Sequence, residues 1–190
     1  MENQVDKGNK AGYEYLLAYK LTVPIYDYTF EFVKRWINFK SRTQDQMEQA
    51  ARSGLANIVE GNKQKSLAGY IKLVGVARGS LEELLKDYLA FARQNKLGVW
   101  PKERCEREIR EIGIIWEMLR KTPTLPASPN FPNLPDNPET AVNLMLTLIN
   151  QANYLLDKLI ISLEAKHEKE GGFSENLLKR RLTYLKKLNL

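Results

Sequence analysis

Apolar side chains recur every three or four residues through most of this chain, which is the spacing of one face of an α-helix. In the first such stretch they are Val23, Tyr26, Phe30, Val33 and Ile37. Three further stretches repeat the pattern, each over many more residues than a strand contains. The spacing predicts four long helices, over about 23–40, 44–60, 66–94 and 138–169.

Residues that are common at helix ends mark several of these boundaries. Thr22 and Pro24 are typical of a first turn, where a proline costs no hydrogen bond. Gly61 is a typical stop after the second helix, and Gly171 after the last long one. The residues from 1 to 12 are polar and contain glycine, which predicts a flexible N-terminal tail.

The pattern changes between the third and the last long helix. Residues 102–120 follow Pro101 and carry a short apolar stripe, which predicts one extra helix. From 122 to 137 prolines recur about every third residue, which excludes a helix and predicts an extended linker across the bundle surface. A proline-rich ligand for the groove of a partner is the alternative interpretation of this linker.

Together these elements predict an all-α fold, an up-and-down four-helix bundle with additions. The bundle covers residues 13–170, including the extra helix and the extended linker, and a basic C-terminal helix follows over 171–190. That last helix carries five basic side chains: Lys179, Arg180, Arg181, Lys186 and Lys187.

The composition is mildly basic, with 29 lysines and arginines against 23 acidic residues and a net charge of +6. Such an excess suggests an anionic partner, although many helical proteins carry this much charge on an ordinary solvated surface. Cys105 is the single cysteine, which excludes an intrachain disulfide and favours a reducing compartment. Because no apolar run approaches the ~20 residues of a membrane helix, we expect a cytoplasmic protein that does not span a membrane.

Residues that would support catalysis are scarce. His167 is the only histidine and lies among charged residues, which indicates a solvated turn. Cys105 lies between Arg104 and Glu106, where an ordinary thiol is the simpler interpretation. Metal-binding helical bundles use Glu-x-x-His motifs on two facing helices, whereas here the spacing occurs once, at Glu164 and His167, and a phosphate-binding glycine loop is lacking. We therefore expect a protein that is not an enzyme and has no cofactor or metal site.

Two stretches, 52–61 and 76–84, place polar side chains beside apolar ones. In helical projection Arg78 falls at the margin of the core, where a guanidinium needs a carboxylate or carbonyl partner. We expect a polar network that fixes the register of the second and third helices, formed by Arg52, Asn57, Glu60, Arg78 and Glu83. The alternative makes Arg52 and Arg78 part of a ligand surface.

The same stretches resemble a known family. The segment QAARSGLANIVEG and the later YIKLVGVARGSLEELLKDYLAFAR are similar to the four-helix-bundle family first linked to intervening sequences in 23S ribosomal RNA genes. That family includes the accessory variability proteins of diversity-generating retroelements, and the resemblance covers about residues 19–95. The segment 137–182 resembles a longer subgroup, the four-helix-bundle suffix-domain proteins.

The resemblance implies a homo-oligomer, since better-studied relatives form pentameric barrels with a basic surface. The retroelement relatives bind nucleic acid and a reverse transcriptase. Our leading hypothesis is a non-enzymatic oligomeric accessory protein that binds the backbone of RNA or DNA and assists a reverse transcriptase. The alternative is a protein-interaction module that binds no nucleic acid. Outside the C-terminal helix the residues we expect to contact nucleic acid are Lys34, Arg35, Lys40, Arg42, Lys63, Lys65 and Lys72.

Overall fold

The computed structural model describes residues 10–188, so residues 1–9 of the predicted N-terminal tail lie outside the described residues. A short 3-10 turn, Gly12–Tyr15, precedes the first helix. The helices are α1 (Leu17–Trp36), α2 (Arg42–Asn62), α3 (Leu67–Gln94), α4 (Lys102–Glu108), α5 (Arg110–Lys121), α6 (Pro138–Glu170) and α7 (Phe173–Leu188). Residues 10–188 contain no strand, and the predicted all-α fold is confirmed.

Four of these helices form the bundle. Helix α2 packs against both α1 and α3, and α6 closes the ring by packing against both α3 and α1. We name the two ends of the bundle by their turns: the α1–α2 end holds residues 37–41, and the α2–α3 end holds residues 63–66. Helix α6 begins at the α1–α2 end and finishes at the α2–α3 end, so the four helices alternate in direction.

The first helix begins earlier than predicted. It starts at Leu17 instead of residue 23 and ends at Trp36 instead of residue 40, which leaves Pro24 inside the helix. Leu21 and Ile25 are completely buried on either side of this proline. Burying such side chains contributes about 1.5–3 kcal/mol each, which offsets the roughly 3 kcal/mol cost of an interior proline.

The earlier start also shifts the buried face of α1. Its core residues are Ala18, Leu21, Ile25, Tyr28, Phe32 and Val33. Phe30 was expected in the core stripe, but it lies off this face and is 43% exposed. The predicted phase of the stripe was therefore wrong by a fraction of a turn.

The second and third helices lie close to their predicted limits and approach each other closely. Ser41 and Ser66 cap them, each accepting a hydrogen bond from a backbone N–H of the first turn. At Gly54 a Cβ atom would lie 2.6 Å from Cδ2 of Leu81, which is completely buried. Only glycine fits at this point, because the backbone of α2 rests against that leucine.

The single extra helix predicted over 102–120 is two helices. Ile109 separates α4 from α5 with an extended backbone, φ −100° and ψ 94°, and its side chain is only 1% exposed. Of the two pieces, α4 packs on α6, whereas α5 packs on both α1 and α6. The bend at Ile109 lets the chain follow the curved surface of the bundle while keeping this isoleucine inside.

The proline-rich linker is extended and runs along α1. Lys20, 4% exposed, donates from Nζ to the carbonyl of Thr122 at 2.9 Å and also to that of Leu119. Further along, the hydroxyl of Tyr28 donates to the carbonyl of Pro132 at 2.5 Å. The linker is thus held at successive levels of the same helix.

The last two helices differ sharply in burial. From Ala141 to Ile149 every residue of α6 is buried, so this helix begins inside the molecule, with the segment around Trp100 lying over it. By contrast, α7 has no buried residue. Among residues 10–188, no helix is long and apolar enough to cross a membrane.

The contact between α2 and α3 gives a matched pair of glycine substitutions. We expect Gly54→Ala to lower the free energy of unfolding by about 1–3 kcal/mol, because the added methyl overpacks against Leu81. Gly79→Ala on the open side of α3 meets nothing within 4 Å and should raise it by about 0.5–1 kcal/mol. Urea unfolding followed by circular dichroism measures both, and two changes of the same sign would contradict this packing.

The buried lysine of α1 gives a second prediction. Lys20→Met keeps the aliphatic stem but removes the donor shared by the carbonyls of Leu119 and Thr122. We expect a loss of about 1–3 kcal/mol in unfolding free energy, because both acceptors remain in a largely buried place. The exposed Lys34→Met is the control and should change little. Equal stability of the two variants would show that the linker is held by its apolar contacts alone.

Candidate nucleic-acid interface

The structure divides the twelve predicted nucleic-acid contacts between the two ends of the bundle. Lys34, Arg35, Lys40 and Arg42 lie at the α1–α2 end. Lys63, Lys65 and Lys72 lie at the α2–α3 end, and α7 with its five basic residues starts from that end, where its Arg180 lines a cleft with Lys65. Because α2 has 21 residues, about 30 Å separates the two groups. A single short stretch of backbone phosphates cannot contact both.

Basic residues at the α1–α2 end are engaged with groups of the protein itself. Arg35 forms ion pairs with Glu31 and with Asp136, the latter at 3.0 Å. The Nζ of Lys34 lies 4.0 Å from the ring centroid of Phe30, a cation–π contact. These contacts reduce the positive charge that the end presents to an anion.

Acidic residues also surround this end. Arg42 shares a cleft between α2 and α3 with Asp45, Glu83 and Asp87. Burial raises the pKa of Asp87, and the negative charge of Glu83 raises it further. A phosphate that approached Arg42 would meet three carboxylates, which weakens the attraction of that side chain for an anion.

The α2–α3 end presents the other eight basic side chains, and each of them is exposed. Within residues 10–188, none of the eight forms an ion pair with a carboxylate. Lys65 and Arg180 line one cleft, together with Glu170, so the first turns of α7 adjoin the α2–α3 turn. The eight residues are Lys63, Lys65, Lys72, Lys179, Arg180, Arg181, Lys186 and Lys187.

Local contacts fix where this surface starts. The backbone N–H of Gly172 donates to the side chain of Glu175 at 3.1 Å, which caps the start of α7. Asn176 donates to the carbonyls of Glu170 and Gly171, and so ties the first turn of α7 to the end of α6. Gly171 has φ 77°, a left-handed conformation that favours glycine, and it redirects the chain between the two helices.

The predicted polar network does not form as expected. Arg78 pairs with Glu82 at 2.8 Å and with Asp157 at 3.2 Å, so it links α3 to α6 instead of α2 to α3. Asn57 donates to the carbonyl of Ser53 within its own helix. The other three predicted members, Arg52, Glu60 and Glu83, are exposed. The prediction chose the wrong neighbouring helix for Arg78, because the edge of the α3 apolar stripe that carries Arg78 faces α6.

An apolar groove elsewhere on the molecule was not predicted from the sequence. It has a volume of about 760 Å³ and lies between α3, α5 and α6, with Trp100 and Trp116 in its lining. Trp116 donates to Gln151 at 2.8 Å, and the backbone N–H of Trp100 donates to Asn143 at 2.7 Å. Several of its polar groups therefore bond within the protein. The side chain of Cys105, 3% exposed, lies in the same lining.

The described residues offer no ready position for a metal. No group of three or more histidine, cysteine, aspartate or glutamate side chains within 10–188 could hold one. His167 is half-buried near Gly172 at the end of α6, and Cys105 lies in the groove, so the two do not form a pair. The groups of the described surface that can bind an anion are exposed lysine and arginine side chains.

Comparison with known proteins gives one match. The family model for the 23S rRNA-intervening sequence protein matches residues 14–121. The match therefore includes α1 to α5 and ends where the extended linker begins. Neither the curated proteins nor the solved structures contain a significant match to this chain.

The acidic cleft at the α1–α2 end yields a test of its electrostatics. The raised pKa of Asp87 means that its ionised form is less favourable in the folded than in the unfolded protein. Stability therefore falls as pH rises through this pKa. We expect Asp87→Asn to raise the Tm at pH 7 by about 1–2 °C. The gain should vanish as the pH falls well below about 3.9, the pKa of an unfolded aspartate, because Asp87 is then protonated in both states.

Calorimetry at a series of pH values measures this effect. Asp87→Glu is the matched control, since it keeps the negative charge and should not stabilise the protein at pH 7. A gain for Asp87→Asn that persisted unchanged at low pH would contradict the electrostatic explanation.

Proposed function

Because the chain belongs to the 23S rRNA-intervening sequence protein family, we propose that it is a non-enzymatic accessory protein that binds nucleic acid. The site is the α2–α3 end, and the ligand is the phosphate backbone of RNA or DNA. No cofactor takes part. We place this role in the cytoplasm, since the single cysteine favours a reducing compartment.

The observation that carries this proposal is the separation of charge between the ends. Eight exposed lysines and arginines of the α2–α3 turn, α3 and α7 form no ion pair within residues 10–188, whereas at the other end Arg35 is ion-paired and Arg42 shares a cleft with three carboxylates. Phosphates attract such side chains regardless of base sequence, and binding releases counterions. Contacts of this kind position a nucleic acid but do not read its sequence.

A finer assignment concerns the partner protein. The likeness of residues 19–95 to the family that includes the accessory variability proteins of diversity-generating retroelements supports an accessory role beside a reverse transcriptase. In that role the protein holds the template or its product near the enzyme. Self-assembly, as in better-studied relatives, would repeat the basic side chains within one complex and raise avidity for a long strand.

Charge reversal at the two ends gives a matched experiment. We compare the triple variant Lys65→Glu, Lys179→Glu and Arg180→Glu with the triple variant Lys34→Glu, Lys40→Glu and Arg42→Glu. Both carry the same net charge, so a general loss of attraction is controlled for. Binding of a fluorescent RNA, and of a DNA duplex, is measured by anisotropy at low and high salt.

The first triple should weaken binding about 100-fold at low salt and reduce the slope of log affinity against log salt by about 2–3. The second should change the slope by less than about 1. Both variants should retain the helical circular dichroism of the wild type, since all six side chains are exposed. If the wild-type protein binds neither RNA nor DNA at low salt, the proposal fails and the protein-interaction alternative stands.

A further inference from the structure

The C-terminal helix has an apolar face that nothing in residues 10–188 buries. At 100° per residue its large apolar side chains fall on about one half of the helix circumference. Each is between 38% and 62% exposed. They are Phe173, Leu177, Leu178, Leu182, Tyr184, Leu185 and Leu188. We name this surface the α7 apolar face.

One charged residue lies within that face. In helical projection Arg181 falls between Leu177 and Leu185, whereas Lys179, Lys186 and the other basic residues fall on the opposite half. Any partner that covers the α7 apolar face must therefore supply an anion for one guanidinium near its middle. A purely apolar surface would leave that charge buried and unpaired, which is costly.

A complementary surface exists on the second half of α6. Tyr154 is 61% exposed and Ile161 is 58% exposed, and together with Ala165 they form an outward stripe at helical spacing. Along one side of this stripe run Asp157, Glu164 and Glu168. We name these six residues the α6 stripe. Glu164 and Glu168 form no ion pair within residues 10–188.

We infer that a second copy of this chain covers the α7 apolar face, with its α6 stripe packed against α7 and its acidic edge beside Arg181. The contact is reciprocal, so α7 of each copy packs against the α6 stripe of the other copy. Such a two-fold arrangement closes on itself and leaves neither apolar surface exposed. This inference does not depend on nucleic-acid binding.

The area involved is sufficient for a stable interface. The α7 apolar face exposes roughly 600 Å² of apolar surface, taking about half of each side chain's full area. With the α6 stripe and the reciprocal contact, the total reaches the roughly 1,200–2,000 Å² of a specific protein–protein interface. A contiguous apolar patch of this size is uncommon on a monomeric soluble protein.

Two other occupants fit the observations less well. A lipid bilayer would bury Arg181 among acyl chains beside four leucines, without a carboxylate to pair with it. The chain's own α6 does not pack extensively against α7, whose first turn is tied to the end of α6 through Glu175 and Asn176. The carboxylates of a second copy satisfy the one polar demand of the α7 apolar face.

Sedimentation equilibrium of the full chain over a range of concentrations tests the inference. The wild type should show a mass of at least twice 21.9 kDa at high concentration. The double variant Leu178→Ser and Leu182→Ser should raise the dissociation constant about 30-fold or more. The matched control, Lys179→Ser with Lys186→Ser on the opposite half of α7, should leave it within about threefold of wild type.

A charge exchange identifies the α6 stripe as the partner surface. Arg181→Glu alone and Glu164→Arg alone should each weaken association about tenfold, whereas the two together in one chain should restore it. Loss of folding cannot produce this restoration. If the double variant associates no better than Arg181→Glu, the assigned surface is wrong.

Cysteine pairs separate a second copy from the chain's own helix. Chains with Ile161→Cys, mixed with differently tagged chains with Leu182→Cys, should form a disulfide between copies; native Cys105 is buried. A wild type that stays monomeric overturns the inference. The same holds if a chain with both Ile161→Cys and Leu182→Cys forms only an intrachain disulfide, or if the monomer sediments with anionic vesicles. A monomer that still binds RNA overturns only this inference, and an oligomer that does not bind RNA overturns only the proposed function.

Discussion

The attachment of the extended linker to α1 decides where the last bundle helix begins. Helix α5 ends near Lys20, at the α2–α3 end, so the chain must travel the length of α1 before α6 can run antiparallel to α3. An extended chain from Thr122 to Asn137 reaches about 50 Å, more than the roughly 30 Å of α1. The hydrogen bonds from Lys20 and Tyr28 fix its path. As a consequence α6 ends beside the α2–α3 turn, and α7 brings its basic residues to the same end.

Much of the fold follows from local rules that a sequence exposes. Ser66 and the apolar spacing give α3 to within about one residue, whereas the spacing alone places the start of α2 two residues late, because its cap is Ser41. The start of α1 was missed because Pro24 suggests a first turn, whereas burial of Leu21 upstream outweighs the cost of an interior proline. The bend at Ile109 has no local signal, since it results from the curvature of the bundle on which α4 and α5 lie.

The candidate site could be predicted only as a set of residue types. Lysines and arginines are visible in the sequence, but their distribution between two ends about 30 Å apart depends on helix direction. The partners of Arg78 were missed for the same reason, because a residue at the margin of a stripe can face either neighbour. Arg35 illustrates why the partners of a basic side chain cannot be predicted from the local sequence. Its ion pair with Asp136 joins residues 101 positions apart, and that pairing exists only because the linker returns along α1.

The basic half of α7 is stabilised by contact with water, whereas the α7 apolar face is stabilised by leaving water. The two surfaces lie on opposite sides of the helix. The lysine side chains of the basic half remain hydrated and conformationally free while they contact mobile phosphates. Its apolar half gains from leaving water, and each large side chain now 38–62% exposed adds to that tendency. Burial of the α7 apolar face would also orient α7 rigidly, so that Lys179 and Lys186 project in a fixed direction. Association and nucleic-acid binding can thus coexist on one short helix, because only Arg181 of its five basic residues lies on the apolar half and the other four lie on the opposite half.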